Sequence, residues 1–284
     1  MLESAGRGFR FRYALLRETL YAGIPVPVRA GLHRQAGRAL AVLGAPPGRV
    51  ARQLLAIPDP GEGEDWETDW LVANAAGLAG QVPAVAADLL DQALSRLGTA
   101  DPRRGGLETQ LAEALFLLGR HKRAEQVCRA TLPLVTDPER YGRLAWLRGY
   151  ALLRMQRYAD ATRALDTAAA RPDISAAWQA RFAALRAMVL QAPGAAHTDA
   201  GVAAAVAAAA ASALEGGRAF DDSIAVAYAL HVQSIARAGR GDLDGAVALI
   251  DEAGPLAVGE PAPHRLAATH DLQPGGHARR AWPA

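Results

Sequence analysis

The chain has 284 residues, 51% of them hydrophobic and 21% charged, with 31 basic against 29 acidic side chains and a formal net charge of +2. This content supports a packed core and excludes a disordered chain, while the near balance of charge gives no concentrated field for a nucleic-acid backbone. Aromatic residues are only 6% and alanine is abundant, which favours helices that approach closely through small side chains.

Only Lys122 among the basic residues is a lysine, a skew that GC-rich coding explains. The single cysteine, Cys128, excludes an internal disulfide and a Cys-based zinc site. It falls on the apolar face of a predicted helix and is expected to be a buried structural thiol.

Helical periodicity begins almost at once. After an extended stretch, Gly8–Arg12, the segment Tyr13–Ala22 sets Leu15, Leu16, Leu20 and Tyr21 at helical spacings, and Pro25 and Pro27 end it. A second helix over Val28–Leu43 carries an apolar stripe of Leu32, Ala36, Ala39, Leu40 and Leu43. The turn Gly44–Gly48 stops it, and a third short helix runs to Ala56. Residues 1–57 thus form a helical segment, and 58–65, rich in Pro and Gly, reads as a linker.

Residues 66–257 repeat themselves. The unit is Ala, then a large residue or Cys four positions on, then a small residue three further: Ala86, Leu90, Ala93; Ala124, Cys128, Thr131; Ala161, Leu165, Ala168; Ala246, Ile250, Ala253. The steps are about 38 and 37 residues and then roughly two periods, slightly above the ~34 of the tetratricopeptide repeat that the unit resembles. Ala permits close helix contact and the larger residue fills the groove between hairpins.

Glycine or polar turns precede each such Ala, at Gly119-Arg120-His121, Met155-Gln156-Arg157-Tyr158 and Arg240-Gly241-Asp242-Leu243, where a left-handed residue or a new cap is needed. Five helical pairs are expected, over 66–97, 105–134, 138–170, 175–214 and 221–257. The fourth is the least regular, because Ala203–Ala211 has helix propensity and little to bury. From 258 to 284 periodicity is lost and the tail reads as disordered. The fold class expected is therefore all-α, a tetratricopeptide-like helical-hairpin solenoid behind an N-terminal helical segment.

The N-terminal residues are more specific. Phe9–Tyr21, then Ile24-Pro25, then Arg29–Ala36, followed by Arg49-Val50-Ala51, Leu54-Leu55-Ala56, Trp66 and Trp70-Leu71, resemble the junction between the ATPase module, with its winged-helix end, and the helical-repeat array of large LuxR-type transcriptional regulators. The likeness covers roughly residues 9–97, and Tyr13 departs from it, since the family more often has His there. It implies a signal-sensing interaction region in a cytoplasmic regulator.

The family's active ends are not found. Lys122, in Arg120-His121-Lys122-Arg123, belongs to no Gly-Lys-Ser/Thr loop, so a phosphate-binding loop is excluded. Residues 258–284 are too short and too rich in Pro and Gly for a helix-turn-helix, so no nucleic-acid binding by this chain alone is expected. The chain is accordingly expected to be a fragment: Met1 opens inside what resembles the end of a nucleotide-binding module, and no capping helix follows Ala253. A stand-alone tetratricopeptide adaptor that scaffolds a protein complex is the alternative.

Catalysis is not expected, and neither is a cofactor. There is no His-Glu-x-x-His, His264, His270 and His277 sit in the aperiodic tail, and no Gly-x-Ser-x-Gly elbow occurs, so no metal and no catalytic residue is assigned. His33 is expected to pack or cap, and Asp221-Asp222 to cap the helix that follows. The apolar run Val202–Leu214 is shorter than the ~20 residues needed to cross a bilayer, so no membrane partner is expected. The remaining surface is the concave groove, where helical spacing from Gly149 puts Arg143, Trp146 and Tyr150, with Tyr228 and His231 equivalent in the last pair. A protein, peptide or small-molecule ligand in that groove is the expected partner, with packing between hairpins as the competing role for Trp146.

Overall fold

The structure is a computed structural model, and it describes residues 2–5, 8–57, 63–192 and 199–256. Among these the chain is all-α apart from one antiparallel hairpin, β1 (Leu2–Ala5) with β2 (Gly8–Phe11), in which Leu2 pairs with Phe11 and Glu3 with Arg10. Gly8–Phe11 is extended as its sequence suggests. The partner strand has no periodicity to announce it.

Three helices follow, α1 (Ala14–Ala22), α2 (Val26–Val42) and α3 (Pro47–Leu55). Pro sits in the first turn of both α2 and α3, where its missing N–H costs no hydrogen bond. The apolar stripe expected on α2 is not the buried one. Leu32 is 50% and Leu43 80% exposed, and α2 instead buries Ala30 and Gly37. Gly37 lies against Leu54 of α3 and the Trp66 ring.

Ten further helices form the five expected pairs: α4 (Asp65–Gln81) and α5 (Pro83–Arg96), α6 (Arg104–Leu117) and α7 (His121–Thr131), α8 (Pro138–Arg154) and α9 (Tyr158–Ala169), α10 (Ala176–Gln191) and α11 (Ala200–Ala219), α12 (Ser223–Ala238) and α13 (Leu243–Leu256). Each packs on the next in sequence, and α4, α6, α8, α10 and α12 also touch one another in that order. The first helices of the pairs thus form one layer, with the second helices against it. The hydrophobic core runs without a break from Ala30 to Ala253. The second helices α5, α7 and α9 join it through the repeated unit, since Ala86, Leu90, Ala124, Cys128, Ala161 and Leu165 are all essentially inaccessible. A fully buried Leu of this kind contributes roughly 1.5–3 kcal/mol.

The hairpin turns share one backbone device. Gly119, Gln156 and Gly241 have φ of 70°, 59° and 83°, so in three pairs a single left-handed residue reverses the chain. Between pairs, side-chain caps start the first helices: Asp137 accepts from the Arg140 N–H, Ser175 from Trp178 and Asp222 from Ala225, and within the fourth pair Asp199 starts α11 by accepting from Gly201 and Val202.

The fourth pair departs from expectation in its second helix. α11 continues to Ala219, a 20-residue helix rather than one ending near Leu214, and by length and composition alone it is apolar enough to cross a membrane. It packs on α10 and α12, burying Val206, Ala210 and Ala213. These three stand at the same spacing as the repeated unit with the sizes of the first two positions exchanged, which hides the repeat. Of the expected linker and tail, residues 58–62 and 257–284 lie outside the described residues. Glu67 of α4, buried, accepts from Arg34 of α2 at 3.1 Å and from Arg96 of α5 at 3.3 Å, joining the N-terminal helices to the first pair.

Candidate functional site

The groove residues inferred from sequence come together, in a form that leaves little of them accessible. Trp146 and Tyr228 are 0% and Tyr150 is 2% exposed. Trp146 stacks on Tyr150, one turn along α8, with ring centroids 5.4 Å apart, and lies 6.3 Å from Tyr228 of α12. Phe116 of α6 meets Tyr150 edge-on at 5.1 Å and His121 at 5.5 Å. Four helices therefore share one aromatic cluster, and such ring pairs add about 0.5–1.5 kcal/mol each beyond their buried area. The expectation of an open binding face at Trp146, Tyr150 and Tyr228 is corrected to packing within the layer of first helices. His231, one turn beyond Tyr228, is half-buried. Arg143 is exposed, and its guanidinium reaches the buried Glu113 carboxylate at 3.3 Å.

Two titratable groups around this cluster are shifted by burial. Desolvation raises the pKa of Glu113, partly offset by Arg143. His121 is held below its ordinary value, chiefly by burial and then by the charge of Arg154, and its Nδ1 is buried with no hydrogen-bond partner among the described residues. Cys128 is fully buried, which pushes its thiol far above the thiolate range, so it is no nucleophile in this conformation.

His33 is a cross-brace: Tyr21 Oη of α1 lies 2.8 Å from its Nε2 and Gln53 Oε1 of α3 lies 2.9 Å from its Nδ1. Asp222 caps α12 and also takes a hydrogen bond from Arg181, whereas Asp221 sits in the left-handed region at φ 53° and caps nothing. Lys122 is exposed near the start of α7. His264, His270 and His277 lie outside the described residues, and among those described no three His, Cys, Asp or Glu side chains gather as a metal-binding group.

Among the described residues, clefts of about 490 Å³ occur at two places. One, between α10, α11 and α12, has Ala203, Val206, Ala207 and Ala210 as its wall and Gln191, Arg237 and Arg240 at its edges. The other lies between α7, α8 and α9 and gathers four arginines, Arg129, Arg148, Arg157 and Arg163, around Asp160, with Leu132, Tyr141 and Ala145 as the apolar part. Sequence reasoning missed this second cleft. Arg129 comes from α7, Arg148 from α8, Arg163 from α9 and Arg157 from the N-cap of α9, in no run or motif, and in a chain whose basic residues are nearly all arginine they carry no signal of their own.

No protein family model and no curated protein matches the sequence.

Proposed function

We propose that this chain is the non-catalytic, signal-sensing helical-repeat region of a LuxR-type transcriptional regulator, a tetratricopeptide-like solenoid that works by binding in the cytoplasm. The observation that carries this reading is the repeated small-large-small face. In α5, α7 and α9 the same three positions are buried, while each first helix contacts the next first helix. Stacked hairpins of this kind present long side surfaces, and their usual use is recognition. The resemblance of Phe9–Ala36 to the regulator junction supplies the family.

Because Trp146, Tyr150 and Tyr228 are packed, partner recognition falls to the exposed rims and clefts, with Arg143 and His231 at the edge of the aromatic layer. The test is the coding DNA on both sides of the gene. With that DNA read in all frames, a phosphate-loop ATPase upstream and a helix-turn-helix downstream are expected. Unrelated genes with clean boundaries on both sides would overturn the regulator reading in favour of a stand-alone adaptor.

A further inference from the structure

The cleft between α7, α8 and α9 has a charge imbalance that its own side chains do not settle. Glu125, buried on α7, accepts from Arg148 Nε at 3.3 Å and lies 4.0 Å from Arg129 Nε. Asp160, at the start of α9, accepts from Arg157 Nε at 2.8 Å and from Arg163. Two carboxylates therefore serve four guanidiniums, and none of the four has another carboxylate partner among the described residues. A guanidinium offers five N–H donors in a fork suited to oxyanions, so donors and positive charge are both left over.

Three of the four guanidiniums, those of Arg148, Arg157 and Arg163, are anchored by hydrogen bonds to a carboxylate. Hydrogen bonds from Arg157 and Arg163 keep the Asp160 carboxyl below its ordinary range, so it stays ionised and anchors both side chains. On α8, Arg148 is 28% exposed, its stem against the core and its head on Glu125. Tyr141, another wall residue, is fixed by Arg171, whose guanidinium lies 4.2 Å from the ring centroid. A volume of about 490 Å³ suits a small molecule.

We propose that this cleft is a binding site for a small organic dianion, a phosphate monoester or a dicarboxylate, with the anionic groups among Arg129, Arg148, Arg157 and Arg163 and the apolar body against Leu132, Tyr141 and Ala145. The site goes beyond the regulator reading and does not depend on it, because its charge balance is the same in an adaptor. It is also separate from the aromatic layer, so the two ideas fail independently.

The experiment is titration calorimetry of the full chain with phenyl phosphate, with phthalate and with inorganic phosphate, at about 0.1 M salt where surface charge is screened beyond ~10 Å. Saturable binding of phenyl phosphate or phthalate is expected, and the tighter of the two identifies the source of the dianion. Arg157→Gln and Arg163→Gln should each weaken it by roughly tenfold, the loss of one charge-assisted contact. Arg148→Gln should do the same, but it leaves Glu125 less compensated. The two exposed arginines keep the test decisive if that variant unfolds, with circular dichroism reporting the fold of each. Arg38→Gln on α2 should change nothing. No saturation by either organic dianion at about 10 mM, or affinity unchanged in the arginine variants, would overturn the proposal. So would inorganic phosphate binding as tightly as phenyl phosphate, which marks an adventitious ion only, or an oligonucleotide binding more tightly than both.

Discussion

Trp146 of α8 and Tyr228 of α12 lie with ring centroids 6.3 Å apart and neither is accessible to solvent, although α10 stands between their helices in the chain's order of packing. Two first helices that are not neighbours are thereby tied through their aromatic side chains. Trp146→Ala should cost about 3–5 kcal/mol, as truncation of a buried aromatic does. Chemical denaturation followed by far-ultraviolet circular dichroism measures it. A loss below about 1 kcal/mol would mean that the rings are not packed as described.

His121 predicts an acid sensitivity. Burial, with Arg154 second, holds its folded pKa below the unfolded value near 6.5, so the folded protein resists a proton that the unfolded chain accepts. Its contribution to stability is present above the unfolded pKa and is lost as pH falls through the folded one. The melting temperature should therefore decline from pH 7.5 to pH 5, and His121→Gln should flatten that slope. An unchanged slope in the variant would assign the effect to another group.

Glu113 has the opposite sign. Its folded pKa is raised, foremost by desolvation, so the stability it gives is fully present below the unfolded pKa and lost as pH rises through the folded one. Glu113→Gln should gain on the wild type as pH rises from 4 to 7. Arg143, which is 46% exposed, loses little with the carboxylate because water replaces it. Denaturant midpoints at the two pH values decide the matter.

Gln156 occupies the left-handed turn position that glycine holds at Gly119 and Gly241. A side chain there costs about 1–2 kcal/mol, part of which glycine's unfolded-state entropy takes back. Gln156→Gly should stabilise the protein by up to about 1 kcal/mol, and Gly119→Ala should destabilise it by a similar amount. Thermal melts of the pair should move in opposite directions.

On α8, a Cβ at Gly149 would stand 2.7 Å from Leu165 and 3.2 Å from Leu185, and one at Gly142 would stand 2.5 Å from the Trp178 ring. Either glycine replaced by alanine should lose roughly 1–3 kcal/mol through forced repacking, despite the better helix propensity of alanine. A gain in melting temperature would show that the contacts relax without cost.

The helices, their pairing and the small-large-small face were legible because they depend on local spacing: Ala161, Leu165 and Ala168 repeat at the helical period whatever surrounds them. The α2 stripe misled, because Leu32 and Leu43 have the right period on a helix whose buried side was chosen by what packs there, namely α3 and Trp66 on Gly37. The repeat in α11 was hidden because its buried residues Val206, Ala210 and Ala213 have the sizes of the first two positions exchanged. Close approach needs one small partner per contact, and the helix that supplies it can be either one.

What the sequence determined by itself is therefore a chain of helical pairs, the turns between them, and a buried Cys128, all set by periodicity and by the conformational needs of single residues. Whether Trp146, Tyr150 and Tyr228 face solvent or each other was decided only when α6, α8 and α12 came together, since a helix face carries the same residues in a groove as in a core. The arginine cleft belongs to the same class. Arg129, Arg148, Arg157 and Arg163 are ordinary surface residues in one dimension, and their shortage of carboxylates exists only where three helices bring them to one place.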